Sequence, residues 1–169
     1  MRLVAVLLSV TAVLLLSDTR LSAQERPNFA GSWTLIPDPD AGGGGGGRGG
    51  RGGGRGGLGQ EATLVQDAAT LTITRATQGG ESKLVYKLDG SENKNTVAGR
   101  GGSTEQVSKA VWTGNKLVIT TTLNMGGNNF EQTMALSLDA EGVLVVETTS
   151  PGRGGGDPTT RTQRYRKGA

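Results

Sequence analysis

The chain contains no cysteine and no histidine, and each absence excludes a class of chemistry. Without cysteine there is no disulfide, no thiol nucleophile, no thiolate metal site and no lipid-modified cysteine. Without histidine, the commonest general base and metal ligand are missing, and serine–histidine catalysis is excluded. The remaining carboxylates show no convergent pair; Asp38 and Asp40, which could bind calcium, are better explained by turn geometry. We therefore predict that the protein is not an enzyme and takes no metal or cofactor.

Aromatic residues make up only 4% of the chain, whereas glycine accounts for 30 of the 169 residues. Such a composition means that part of the chain lies outside any packed core. The glycine is concentrated in residues 41–59, where the only substantial side chains are Arg48, Arg51, Arg55 and Leu58. Because this segment buries too little apolar surface to offset its ordering entropy, we predict a flexible Gly/Arg-rich loop.

The N-terminus has the layout of a secretory signal peptide. Arg2 is followed by a nearly unbroken apolar run at 3–16, and then by polar residues and the small pair Ser22-Ala23. The run is shorter than the roughly 20 residues that a membrane span needs. We therefore predict a cleaved leader at 1–23, no membrane span, and a single secreted or bacterial periplasmic domain at 24–169.

Short segments of alternating hydrophobicity, separated by turn residues, fill most of the remaining sequence. Alternation with period two is typical of half-buried antiparallel strands. We predict about eight or nine strands that form an all-β barrel, since closure removes exposed sheet edges. Beyond the first strand, at 29–35, the predicted strands are 61–66, 70–77, 81–88, 103–112, 116–123, 130–138, 143–149 and 160–167. The inward-facing residues are predicted to be Leu71, Ile73, Leu84, Tyr86, Ile119, Phe130, Met134 and Leu136.

The first predicted strand places Phe29, Gly31 and Trp33 on one face. This Gly-x-Trp pattern, at the start of an exported all-β chain, resembles the opening strand of the lipocalin-like (calycin) barrels. The resemblance implies that Trp33 packs across one end of the barrel and that an arginine of the last strand covers its ring. Arg164 and Arg166 are the arginines available there. The family's central Thr-Asp-Tyr motif and its helix before the last strand are missing.

Two functions are compatible with this pattern. The barrel interior is expected to bind a small apolar or amphipathic molecule, although the same side chains could instead fill the barrel and leave no cavity. Alternatively, Arg48, Arg51 and Arg55 contact anionic envelope or matrix polymers, as arginine–glycine segments contact nucleic acid. Specific nucleic-acid binding is not expected, because no aromatic residues interleave with these arginines and the leader directs export. The formal net charge of +3 is too small to favour a polyanionic partner by itself.

Overall fold

The computed structural model describes residues 26–38, 57–77, 80–99, 102–125, 127–152 and 156–168. These residues form ten β-strands and no helix, so none of their segments is a helix able to cross a membrane. The strands are β1 Gly31–Leu35, β2 Glu61–Gln66, β3 Thr70–Thr77, β4 Gly80–Lys87, β5 Asn93–Gly99, β6 Gly102–Thr113, β7 Lys116–Met125, β8 Asn128–Leu138, β9 Leu144–Ser150 and β10 Thr159–Lys167.

All strand pairing is antiparallel, in the order β4-β3-β2-β1-β10-β9-β8-β7-β6-β5. The two strands at the ends of this sheet, β4 and β5, lie beside each other, so the sheet curls into a nearly closed barrel. Contact between them runs through the side chains of Asn93 and Asn95. The prediction of an all-β antiparallel barrel is confirmed.

The predicted strand count missed one strand, β5. Its sequence, Asn-Lys-Asn-Thr-Val-Ala-Gly, has a single large apolar residue and two asparagines, a residue type depleted in strands. It forms a strand because all seven of its residues pair with β6. Tertiary pairing therefore overrides a local sequence with little strand propensity.

The two ends of the barrel differ in what covers them. One end, which we call the capped end, is covered by residues 26–30, which directly precede β1. There the ring of Phe29 stacks on Trp112 of β6, with ring centroids 5.7 Å apart and ring planes 11° from parallel. The odd-numbered strands end at the opposite end, which we call the glycine-rich end because the connections that follow them contain most of the glycines. The barrel thus has one aromatic cap and one glycine-rich end.

The apolar side chains that point inward form one continuous core. Its largest fully buried members are Phe29, Trp33, Leu58, Leu64, Leu71, Ile73, Leu117, Ile119, Leu136, Leu144, Val146 and Tyr165. Burial of each large apolar side chain contributes on the order of 1.5–3 kcal/mol to stability. The core runs from the cap to the level of Leu58, and so holds the strands of the functional site in place.

The structure describes the last three residues of the loop predicted over 41–59. Leu58 is fully buried, and Gly57 beside it is buried as well. The single leucine supplies apolar surface that the glycines around it lack, and the barrel interior accepts it. Residues 41–56 of this loop, and the predicted leader at 1–23, lie outside the described residues.

Candidate functional site

Six of the eight side chains predicted to line a ligand site are buried in the core. Phe130 and Met134 are half-buried, and Met134 packs against the core from its edge. The buried six pack with Trp33, Leu58 and Tyr165 into the same cluster; they are Leu71, Ile73, Leu84, Tyr86, Ile119 and Leu136. In this part of the barrel, side chains occupy the interior.

The cation above Trp33 is Lys167, and neither Arg164 nor Arg166 covers the ring. Lys167 is the register partner of Trp33, and its Nζ lies 5.8 Å from the centroid of the indole. The two arginines occupy the alternate positions of β10, whose side chains point outward, and Arg164 forms an ion pair with Asp139 instead. The lipocalin resemblance therefore implies the correct strand, β10, for the cation over Trp33, but Arg164 and Arg166 lie on the opposite face of that strand.

Gly31 of the Gly-x-Trp pattern has a specific steric role. Its φ is +142°, and a Cβ placed there would lie 2.5 Å from Cε of Lys167. The aliphatic part of Lys167 therefore passes directly over Gly31 on its way to the indole of Trp33. A larger residue would be strained at this φ and would shift the flexible end of the lysine that packs on the ring.

The most distinctive feature of the interior is the way Gly57 and Leu58 enter it. The N–H of Leu58 donates to the hydroxyl oxygen of Tyr165 at 3.2 Å, and the guanidinium of Arg75 donates to the carbonyl oxygen of Gly57. Gly59, which follows, has φ +90°, a left-handed conformation that lets the chain turn back toward β2. We call Gly57, Leu58, Arg75, Gln163 and Tyr165 the Leu58 site.

Polar atoms without partners lie on the inward face of the same half of the barrel. Six buried side-chain polar atoms have no hydrogen-bond partner among the described residues. Four of them lie in this half, namely Arg75 Nε, Ser82 Oγ, Thr148 Oγ1 and Gln163 Oε1, and the other two, Asn93 Oδ1 and Trp112 Nε1, lie toward the capped end. The strand register places them together in two groups, since Arg75 is opposite Ser82, while Thr148 and Gln163 lie on the adjacent strands β9 and β10. Burying such atoms unpaired costs about 1–3 kcal/mol each, so a ligand that pairs with them gains binding free energy.

The electrostatics of the site are set by Arg75. Burial raises the pKa of Tyr86 to about 12, and the nearby charge of Arg75 acts in the opposite direction. Burial also raises the pKa of Tyr165, although the hydrogen bond from the N–H of Leu58 and the charges of Arg75 and Arg161 act to lower it. No carboxylate among the described residues forms an ion pair with Arg75. The Leu58 site therefore holds the neutral phenol of Tyr165 and the cation of Arg75, which is suited to an anionic or carbonyl oxygen, and the phenol of Tyr86 lies within the influence of the same charge.

A surface groove of about 470 Å³ lies at the capped end. It is lined by Arg26, Ala68, Ala69, Thr70, Lys87, Leu88 and Asp89. The polar backbone there is already satisfied, because Asp67 accepts the N–H groups of Ala69 and Thr70. These two backbone groups are therefore not available to a ligand in the groove.

Sequence reasoning identified none of the residues of the Leu58 site. Two signals for the site are present in the sequence. Leu58 is a single leucine between glycines, and Gln163 and Tyr165 occupy the alternate positions of β10 that face inward. Arg48, Arg51 and Arg55, the predicted polyanion contacts, lie outside the described residues. The chain matches no protein-family model and no curated protein. The geometry of the barrel interior is therefore the basis for a functional hypothesis.

Proposed function

We propose that the protein is an exported, non-enzymatic binding protein whose barrel takes a small amphipathic molecule at the Leu58 site. The observation that supports this most is the set of buried, unpartnered polar atoms in the half of the barrel that holds Arg75 and Gln163. An apolar interior with a few convergent polar groups is the usual composition of a small-molecule site. Export follows from the leader predicted at 1–23.

The ligand takes the place of the chain's own Leu58. Its apolar part enters the core at the position of the Leu58 side chain, which belongs to the core cluster, and a longer tail extends beyond that position. Its head group carries an oxygen that accepts from Arg75, where the carbonyl of Gly57 accepts in the structure. The Tyr165 hydroxyl is neutral at physiological pH, as a tyrosine phenol ordinarily is, and burial raises its pKa further; it is then free to donate to the same head group.

Calorimetric titration with octanoate tests this proposal. We expect saturable binding, and we expect Arg75→Met to weaken it about tenfold or more, since a hydrogen bond to a charged group contributes about 1.5–3 kcal/mol. Arg26→Met removes an equal charge at the capped end and should leave the affinity unchanged. Circular dichroism checks that both variants remain folded. Absence of octanoate binding, or equal weakening by both substitutions, would contradict the proposal.

A second candidate function is contact with anionic polymers at the glycine-rich end. It is favoured by the position of the strand termini Leu35, Gly99 and Ser150, because the connections that follow each of them contain arginine and these termini share one end of the barrel. The exposed side chain of Arg161 on β10 lies toward the same end.

Retention on a polyphosphate column at low salt tests the second candidate. We expect Arg48→Ser/Arg51→Ser to shorten retention, and the shortening should vanish at high salt, where surface charges are screened. Arg26→Ser/Lys87→Ser removes the same charge at the capped end and should have a smaller effect. Equal shortening by the two double variants would mean that net charge alone governs retention.

A further inference from the structure

Both hydrogen bonds at the Leu58 site act on a single peptide group. The carbonyl of Gly57 and the N–H of Leu58 belong to the same amide, and they bond to Arg75 and to the Tyr165 hydroxyl respectively. In a trans peptide these two groups point in opposite directions. The barrel therefore holds one secondary amide between a donor on one side and an acceptor on the other.

On the carbonyl side of this amide, a substituent larger than hydrogen would meet the side-chain amide of Gln163. Gly57 has φ +121°, a conformation that side-chain-bearing L-residues rarely adopt. A Cβ added to Gly57 would also lie 2.0 Å from Oε1 of Gln163. A substituent at this position would therefore strain the backbone and displace the Gln163 amide.

The nitrogen side of the amide carries a buried, leucine-sized group. The side chain of Leu58 is fully buried and belongs to the barrel core. Protein interiors are close-packed, so a smaller group leaves a cavity and a larger one forces its neighbours to move. The volume at this position thus selects a branched aliphatic group of four carbons.

From the two hydrogen bonds and the space on each side of the amide, we infer that the Leu58 site recognises a secondary amide with CH₂ on its carbonyl side and an isobutyl-bearing carbon on its nitrogen side. The ligand class is a glycyl-leucyl peptide or an N-acyl leucine amide. This inference rests on the proposed function, because it names the chemistry of the ligand at that same site. The chain's own Gly57-Leu58 is then an internal copy of the ligand.

The internal copy competes with an external ligand. Leu58 is only three residues from the start of β2, so it is held at a high effective concentration near the site. A ligand binds only when Gly57-Leu58 has left the site. Its apparent affinity is therefore the intrinsic affinity multiplied by the fraction of molecules in which the site is empty. Removing the Leu58 side chain should raise the affinity for an external peptide.

The test is binding of acetyl-Gly-Leu-Gly-amide to the Leu58→Ala variant, followed by calorimetry and by the thermal midpoint. We expect the peptide to bind at least tenfold more tightly to this variant than to the wild type, and to raise the midpoint of the variant. The matched peptide acetyl-Gly-Ala-Gly-amide should bind at least tenfold more weakly than the leucine peptide. Should Leu58→Ala fail to fold, Leu58→Val carries the same comparison with a smaller loss of packing.

Octanoate, titrated in parallel, separates this inference from the proposed function. Binding of octanoate without preference for the leucine peptide over the alanine peptide overturns the inference and leaves the proposed function standing. Binding of neither octanoate nor peptide overturns both. Selective binding of the leucine peptide, abolished by Arg75→Met and retained by Arg26→Met, supports the inference.

Discussion

The side-chain amide of Asn95 pairs with the backbone of Val85 as a residue of a neighbouring strand would. Its Oδ1 accepts from the Val85 N–H at 2.8 Å, and its Nδ2 donates to the Val85 carbonyl, also at 2.8 Å. The amide of Asn93 donates to the same carbonyl. Asparagine side chains thus replace part of a backbone ladder between β4 and β5, and Asn95 is only 7% exposed as a result.

Asn95→Ala should destabilise the barrel by about 1–3 kcal/mol, because the N–H of Val85 loses its acceptor at a partly buried position. Asn124→Ala is the matched control. Asn124 is exposed and its amide donates only to Asn129, so its loss should change stability by less than about 0.5 kcal/mol. Urea unfolding measures both changes. Equal losses of unfolding free energy for the two variants would show that the hydrogen bonds between Asn95 and Val85 do not stabilise the contact between β4 and β5.

Lys167→Met should change the emission of Trp33, whereas Arg166→Met should not. The ammonium of Lys167 lies over the indole, and Arg166 occupies the outward face of the same strand. Both substitutions remove one positive charge, so the comparison isolates position. Trp112→Phe serves as the background, since it leaves Trp33 as the only tryptophan. Identical spectra for the two methionine variants would contradict the assigned face.

Phe29→Ala should cost about 3–5 kcal/mol of stability, the range for truncating a fully buried phenylalanine. Phe29 stacks on Trp112, and its carbonyl accepts from the indole N–H of Trp33 at 2.8 Å. The only other phenylalanine, Phe130, is half-buried, and Phe130→Ala should cost clearly less. Denaturant midpoints at constant m-value provide the comparison. If Phe130→Ala is the more damaging, residues 26–30 do not cap the barrel.

Alkaline pH should weaken the fold through Tyr86. Its phenol titrates near 10 when unfolded, and burial raises the folded pKa to about 12. The unfolded state therefore loses the proton first as the pH rises, so this contribution is complete below pH 10 and disappears through about pH 12. A pKa difference of this size corresponds to about 3 kcal/mol. Over this interval, the unfolding free energy of the wild type should fall relative to that of Tyr86→Phe; a constant difference between the two would contradict the assignment.

Most of the barrel could be predicted from period-two alternation. The bounds predicted for strands 61–66 and 70–77 are those that the structure shows, because apolar and polar residues alternate along each strand and clear turn residues separate them. Asn93–Gly99 could not be predicted, since its strand character comes from β6 and from a side-chain bridge to Val85. Alternation of apolar and polar residues reveals a strand with one buried face. It does not reveal a strand that forms because neighbouring strands supply its hydrogen bonds.

The Leu58 site could not be predicted for a different reason. The composition of the segment indicates that a run of glycines has little apolar surface to bury. Composition gives no weight to the position of a single residue, so it does not reveal that Leu58 is buried in the barrel. Arg75 and Tyr165 lie 17 and 107 residues from Leu58 in sequence, and they meet it because the strand order β3-β2-β1-β10 brings their strands to the same part of the curved sheet. The family resemblance likewise indicated a cation over Trp33, but only the register of β10 identifies it as Lys167.

Hydrogen exchange at the backbone amide of Leu58, with and without saturating octanoate, tests most directly whether the barrel interior is a ligand site. This amide donates to Tyr165 in the structure, so it should be protected in the free protein. We predict that octanoate accelerates its exchange while the amides of the capped end stay unchanged, because the ligand displaces the segment. Unchanged or slower exchange at Leu58, under conditions where octanoate is bound, would contradict the account.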